Sequence, residues 1–328
     1  MKRTSEDVDD SPPEMDIIVK EISESESEVI ARKTKKQKKS KKKNKKRARQ
    51  QVTPVEDEEY DQYEEAEDDD QLLMHTKTTL PPNLRKFWNR RYDLFSKFDE
   101  GIYMTTELWF SVTPESLARY TAELFNTLLP QAKTCLDICC GGGGNTIQFA
   151  EHFDSVGAID INPTNVYCTE HNAEIYGVRN KIWTLQADWN EISQSTDWIP
   201  QDLKVEPISK TFDFIYSSPP WGGTNYNRDH FDLYTMEYFP IVQFLTQIKQ
   251  FSENIALYLP RSSNLDQLSQ ATYEVFGDSE KCRVIYINSN GRSVALLALF
   301  GSAFTQNISE LDDYEEEEQD QEEQVNVE

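Results

Sequence analysis

The chain has 328 residues, 37% of them apolar and 28% charged, and a formal net charge of −24. That apolar share suits one globular domain of common size with unstructured flanks, and the acid excess speaks against phosphate binding over the chain as a whole. No stretch approaches the roughly 20 apolar residues of a membrane span and the N-terminus lacks the apolar core of a signal peptide, so an intracellular chain with no membrane partner is expected.

In chain order, residues 1–77 are polar and are expected to be disordered. They hold a serine–glutamate alternation around Ser23–Glu28, a basic run over 32–49 and an acidic block over 56–70, none of which could bury a core. The run Lys35-Lys36-Gln37-Lys38-Lys39-Ser40-Lys41-Lys42-Lys43 reads as nuclear or nucleolar targeting with loose RNA affinity, or as plain solvated charge; targeting is the favoured reading. Residues 304–328 form an acidic tail, also expected to be disordered. Much of the acid excess lies in these flanks, so the folded part is less acidic than the whole.

A small helical lobe is expected over 78–130. Aromatic residues recur at helical spacing from Leu84 to Phe95, and Thr113-Pro114-Glu115 offers a capping threonine with proline at the first helical position, opening a helix to about Leu129. Over 131–303 strands are expected at Thr134–Cys139, Val156–Ile161, Lys181–Asp188, Phe212–Ser217 and Asn254–Leu259, with helices after Asn145, Pro163, Asp232 and Asn264. This alternation predicts an α/β fold with a parallel, Rossmann-like sheet. Two further strands, Cys282–Asn288 and Ser293–Phe300, flank Ser289-Asn290-Gly291-Arg292, a strong hairpin signal. A parallel sheet closed by an antiparallel hairpin resembles the class I S-adenosylmethionine-dependent methyltransferases.

The motif Leu136-Asp137-Ile138-Cys139-Cys140-Gly141-Gly142-Gly143-Gly144-Asn145-Thr146 runs from a strand through a glycine loop into a helix. Gly141 and Gly143 let the backbone approach a ligand, while Asn145 and Thr146 open the helix whose N-terminus favours an anion. A tight turn would use the same residues, but the context adds to the motif. Asp160 ends the next strand, where a carboxylate can bind both hydroxyls of a ribose. Asp188 ends the strand after that, where methyltransferases usually hold the adenine amine. Asp137, just ahead of the loop, suits the amino group of a methionine moiety. Three carboxylates at three successive strand ends point to S-adenosylmethionine as cofactor.

Ser217-Ser218-Pro219-Pro220-Trp221-Gly222-Gly223 follows the fourth strand. Its prolines fix the backbone so that carbonyls can accept hydrogen bonds from an exocyclic amine. Trp221 can stack on a flat base, and a guanine methylated at its 7 position is cationic, which adds a cation–π contribution of about 0.5–2 kcal/mol. Ser218, Pro219 and Trp221 are therefore the candidate catalytic residues. The five cysteines, Cys135, Cys139, Cys140, Cys168 and Cys282, show neither a disulfide framework nor metal spacing. No metal is expected.

From about Lys86 to Gly301 the chain resembles the trimethylguanosine synthases, the RNA cap guanosine-N2 methyltransferase family. The motifs that carry this are Arg91-Tyr92-Asp93-Leu94-Phe95-Ser96-Lys97-Phe98-Asp99-Glu100-Gly101-Ile102, Trp109-Phe110-Ser111-Val112-Thr113-Pro114-Glu115, Gly143-Gly144-Asn145-Thr146-Ile147-Gln148-Phe149-Ala150, Asn172-Ala173-Glu174-Ile175-Tyr176-Gly177 and Ser218-Pro219-Pro220-Trp221-Gly222-Gly223. The resemblance implies that Asp137, Asp160 and Asp188 contact S-adenosylmethionine, helped by Ser111, Thr113 and Phe95. It implies that Trp221 and Ser218 sandwich a 7-methylated guanine with Asn172 nearby, and that Lys86, Tyr226 and Arg261 bind the triphosphate. The chain departs from the family at Cys139-Cys140-Gly141-Gly142, where an aromatic residue followed by Cys-Gly-Val is commoner.

The implied partners are 7-methylguanosine-capped small nuclear and nucleolar RNAs, with ribonucleoprotein proteins reached through the charged tails, in the nucleus and nucleolus. Two alternatives remain. An adenine-N6 or protein-glutamine amino-methyltransferase uses a similar Pro-Pro-aromatic loop, though typically with Asn or Asp where Ser218 stands. A non-catalytic cap-binding protein would not need three cofactor carboxylates. No histidine sits in any motif, so no imidazole base is expected.

Overall fold

The computed structural model describes residues 16–21, 72–223, 226–277, 280–289 and 292–305. Its strands are β1 (Asp16–Glu21), β2 (Thr134–Ile138), β3 (Ser155–Asp160), β4 (Ile182–Gln186), β5 (Phe214–Ser217), β6 (Ile255–Pro260), β7 (Arg283–Ser289) and β8 (Arg292–Phe300). They form one sheet in the order β1-β7-β8-β6-β5-β2-β3-β4. Pairs among β2 to β6 are parallel, and β8 runs antiparallel to both β6 and β7. The ladder between β7 and β8 reaches Ser289 opposite Arg292, so two residues join them, as a hairpin requires; Asn290 and Gly291 themselves lie outside the described residues.

The longer helices are α1 (Glu115–Leu128), α2 (Gly144–His152), α3 (Pro163–Tyr176), α4 (Ile241–Ile248) and α5 (Leu265–Phe276). They cover both faces of the sheet, which explains why the inner strands read as continuous apolar runs rather than alternating ones. Along β5 the period of two still sorts side chains. Phe214 and Tyr216 join the cluster that holds Phe125 of α1 and Phe149 of α2, whereas Ile215 joins Phe244 of α4 and Leu268 of α5. The start of α3 is set by Asn162, whose side chain accepts from the Thr164 amide, with Pro163 at the first position, and Gly177 ends it at a φ of 79°.

Several sequence expectations are corrected. The helix expected after Asp232 begins only at Ile241; Asp232 instead accepts from the Tyr234 amide and from Gln267 of α5, which fixes a bent connection. Thr113 does not cap α1: Pro114 occupies the cap, and the Thr113 hydroxyl accepts from Asn145 of α2. Residues 84–95 form a 3-10 turn at Trp88–Arg90 and one helical turn at Arg91–Leu94 instead of a continuous helix, because Trp88 turns in to stack on Trp109. The lobe also begins before residue 78, since the Leu73 carbonyl accepts from the Met104 amide and His75 is buried beside Trp109.

Within the polar N-terminal region, Asp16–Glu21 is a strand paired parallel with β7. The basic run 32–49 and the acidic block 56–70 lie outside the described residues. At the other end the fold extends past 303: Phe304 is fully buried against Phe125 and Phe214, with centroid distances of 5.0 and 6.2 Å. The tail from 306 onward is outside the described residues. Phe304→Ala should remove about 3–5 kcal/mol of stability, read as a lower denaturant midpoint with an unchanged slope.

Candidate active site

The strand order reverses between β2 and β5, and in open α/β sheets ligands bind beyond the carboxyl ends of the strands at such a point. A cleft of about 2320 Å³ lies there. Among the expected site residues, its lining includes Ser111 and Thr113 from the N-terminal lobe, Gly141 and Asn145 from the glycine loop and α2, Asp160 after β3, Asp188 after β4, and Ser218, Pro219 and Trp221 after β5. Ser111 and Trp221, 110 residues apart in sequence, thus meet at one sheet end.

Asp160 is the hub. One carboxylate oxygen accepts from the Gly141 amide at 2.9 Å, and the other from the Asn162 amide at 2.9 Å and the Asn165 side chain at 3.3 Å. Burial raises its pKa, and these bonds counter that rise. Asp188 caps the single turn Trp189–Ile192 by accepting from the Asn190 amide at 2.8 Å, so its helix-cap role and its place in the cleft coexist.

Asp137 lies beneath the loop and is only 1% exposed. Thr146 donates to its Oδ2 at 2.6 Å, while Oδ1 has no hydrogen-bond partner. Burial pushes its pKa up to about 7; the Thr146 bond opposes this and the charge of Asp160 adds to it. Oδ1 of Asn145 is likewise buried without a partner. Two orphaned acceptors at the foot of one loop fit a ligand that brings N–H donors, since a buried acceptor left unpaired costs about 1–3 kcal/mol. Thr146 acts on Asp137 and does not line the cleft. Gly143 is set back too, with a φ of 84° that caps α2 and a position where a Cβ would meet Thr169 at 3.2 Å.

Trp221 is half-buried. Its Nε1 donates to the Tyr258 carbonyl at 3.3 Å, its ring lies nearly parallel to that of Tyr258 at 5.8 Å, and Tyr226 meets it edge-on at 5.6 Å. The indole is therefore held in one plane. Lys86, Tyr226 and Arg261 do not line this cleft; Lys86 sits over Phe87 with its ammonium 5.0 Å from the ring centroid.

Two further expected residues, Asn172 and Phe95, are not among those lining the cleft. Asn172 is 0% exposed, and its side chain is committed: Oδ1 accepts from the Tyr103 amide at 2.8 Å, and Nδ2 donates to the carbonyls of Tyr103 and Gly142, both at 2.9 Å. It clamps the lobe to the glycine loop and has no free donor for a base. Phe95 is buried against Tyr176 at 6.3 Å, where it packs the lobe onto α3; its neighbours Leu94 and Ser96 line the cleft and Phe95 itself does not.

Cleft residues that the sequence reading passed over include Ile161, 62% exposed beside Asp160, and Tyr238 and Tyr258. Ile161 was masked by its place at the end of an apolar strand, where it reads as core. Cys139 also lines the cleft, at a φ of 68°. Burial, reinforced by Asp160 and Asp137, pushes its thiol well above the usual range.

The topology, the switch-point cleft and the row of carboxylates define a class I S-adenosylmethionine-dependent methyltransferase. The profile of the family described as RNA cap guanine-N2 methyltransferase matches residues 132–303. Trimethylguanosine synthase of Saccharomyces cerevisiae is 40% identical over 227 residues, covering 67% of this chain and 68% of that protein. Trimethylguanosine synthase of Schizosaccharomyces pombe is 32% identical over 207 residues, covering 62% of this chain and 82% of that protein. The chain belongs to the RNA cap guanine-N2 methyltransferase family, and it is an enzyme that methylates capped RNA.

Asn172→Ala would leave the Tyr103 and Gly142 backbone groups unpaired. It should cost about 1–3 kcal/mol and weaken S-adenosylhomocysteine binding, measured by denaturant unfolding and calorimetric titration.

Proposed function

We propose that the enzyme converts the 7-methylguanosine cap of small nuclear and nucleolar RNAs to the 2,2,7-trimethyl form, working in the nucleus and nucleolus. The observation that carries this reading is Trp221, an indole fixed in plane at the end of β5 in the same cleft as Asp160 and Asp188. Stacking there gains a cation–π contribution only when the guanine carries its 7-methyl charge, which favours the methylated cap over plain guanosine.

The residues divide the work. Asp137 and Asn145, with their orphaned oxygens, receive the amino group of the cofactor's methionine end; Asp160 takes the ribose hydroxyls with the lone pairs its loop contacts leave over; Asp188 takes the adenine amine. Ser111 and Thr113 close the site from the lobe, and Gly141 leaves room for the backbone to approach. Bound there, S-adenosylmethionine supplies an electrophilic methyl group. Trp221 and Ser218 hold the base, and the carbonyls of Ser218 and Pro219 orient its exocyclic amine as a proton leaves, with positioning as the main catalytic contribution. Lys86, Tyr226 and Arg261 serve the triphosphate, and the charged flanks serve ribonucleoprotein contacts.

Trp221→Ala should cost about 1–3 kcal/mol of base binding, or about 5- to 150-fold in kcat/KM, with S-adenosylhomocysteine affinity retained; full activity would sink the platform. The pKa of Asp137 near 7 sets a pH dependence. Its carboxylate form pairs with the ammonium, so cofactor affinity should fall by up to about tenfold per unit as pH drops below about 7. Calorimetry from pH 5.5 to 8.5, as a chosen range of about three units, should show this for the native protein and lose it in Asp137→Asn.

The direct test is transfer of labelled methyl groups to two short RNAs, one capped with 7-methylguanosine and one with guanosine, with products resolved by methyl count. One and then two methyls on the first alone is the expected result. Transfer to neither would overturn it.

A further inference from the structure

Beyond Trp221 the rim continues in a direction the cap does not use up. Tyr226 meets Trp221 edge-on at 5.6 Å and Phe231 at 6.1 Å, and the Arg228 guanidinium lies over the Tyr226 ring, 5.8 Å from its centroid. This short segment is pinned. Asn227 Oδ1 accepts from the amides of Asp229 and His230 at 2.9 and 3.1 Å, while the Ser262 hydroxyl donates to the Asn227 carbonyl at 3.1 Å. The Phe231 amide donates to the Ser262 carbonyl at 2.8 Å, and Phe231 bridges Ser263. Arg228 is thereby fixed beside the stretch that begins at Arg261. Both arginines are exposed, and among the described residues neither forms an ion pair. The nearest acid in sequence is Asp229, itself exposed.

We infer that Arg228, placed over the ring of Tyr226, binds the RNA chain downstream of the cap, holding the phosphate of the first transcribed nucleotides, so that the enzyme favours capped RNA over a free cap. The inference rests on the cap-methylating reading and deepens it. Order along the rim supplies the argument: a base on Trp221 leads its triphosphate toward Tyr226 and Arg261, and the chain that follows meets Arg228. An arginine lying on an aromatic face keeps its N–H edge available for a phosphate, and alternating aromatic and cationic groups are how single strands are tracked. In a chain of net charge −24, arginines that form no ion pair among the described residues also draw a polyanion toward that rim.

The test uses the full chain with two substrates, a 7-methylguanosine cap dinucleotide and an RNA of about ten nucleotides bearing the same cap, which is long enough to supply several backbone phosphates. The readout is the ratio of their kcat/KM values across a salt series. For Arg228→Ala the ratio of RNA to dinucleotide should fall about 5- to 10-fold through KM, and the log–log salt slope on RNA should flatten by about 0.7, the value for one phosphate contact on a single strand. Arg228→Lys should recover the slope and only part of the ratio. An unchanged ratio would overturn the inference, as would equal losses on both substrates, which would place Arg228 on the cap itself. Native protein inactive on both substrates would instead remove the cap reading beneath it.

Discussion

The carboxylate of Asp160 accepts three hydrogen bonds, one each from the loops leaving β2 and β3 and one from Asn165 on α3, and this shared acceptor sets where everything else in the cleft can sit. Bonds to a charged group contribute about 1.5–3 kcal/mol each, which offsets part of the cost of burying the charge. Through Gly141 the carboxylate fixes the glycine loop, and through Gly142 the loop is clamped to Asn172 and so to Tyr103 in the lobe. The lobe cannot shift without disturbing the loop. Leu108 reinforces this fit, because a Cβ on Gly142 would meet its side chain at 2.9 Å.

A second regularity is electrostatic. Asp137, Asp160 and Asp188 gather at the carboxyl ends of adjacent strands, and burial raises the pKa of the first two. Such a group of acids is costly when the site is empty and is relieved by positive charge. Both reactants of the proposed reaction would suit it: a sulfonium compound with an ammonium group, and a guanine made cationic by a 7-methyl group. On the proposed substrate, the acidity of the whole chain would then be no obstacle, because the reacting end of that RNA is positive.

Much of this was legible in the sequence, because strand and helix alternate with clear punctuation: Asn162-Pro163 before α3, Gly177 after it, and the Asn-Gly pair between β7 and β8. The carboxylates were legible because strand ends are, and strand ends define the site in a parallel sheet. What a sequence does not carry is the direction in which a side chain points once a helix is docked. Asn172 looked like a ligand contact and is a buried clamp, and Thr113 looked like a cap and serves Asn145 instead. Phe304 was hidden by the acidic run behind it, and the strand at Asp16–Glu21 by the polar residues around it, since composition averaged over a long window conceals six residues that pair with an edge.

That added strand bears on how the enzyme is handled. β7 has β8 on one side and β1 on the other, and β1 comes from far upstream of the lobe that begins near Leu72. A fragment trimmed to start there would keep every cleft residue yet leave β7 with a bare row of backbone donors and acceptors. Open rows of that kind recruit strands from neighbouring molecules. Self-association would then be a property of the shortened catalytic fragment, introduced by trimming a segment that looks dispensable.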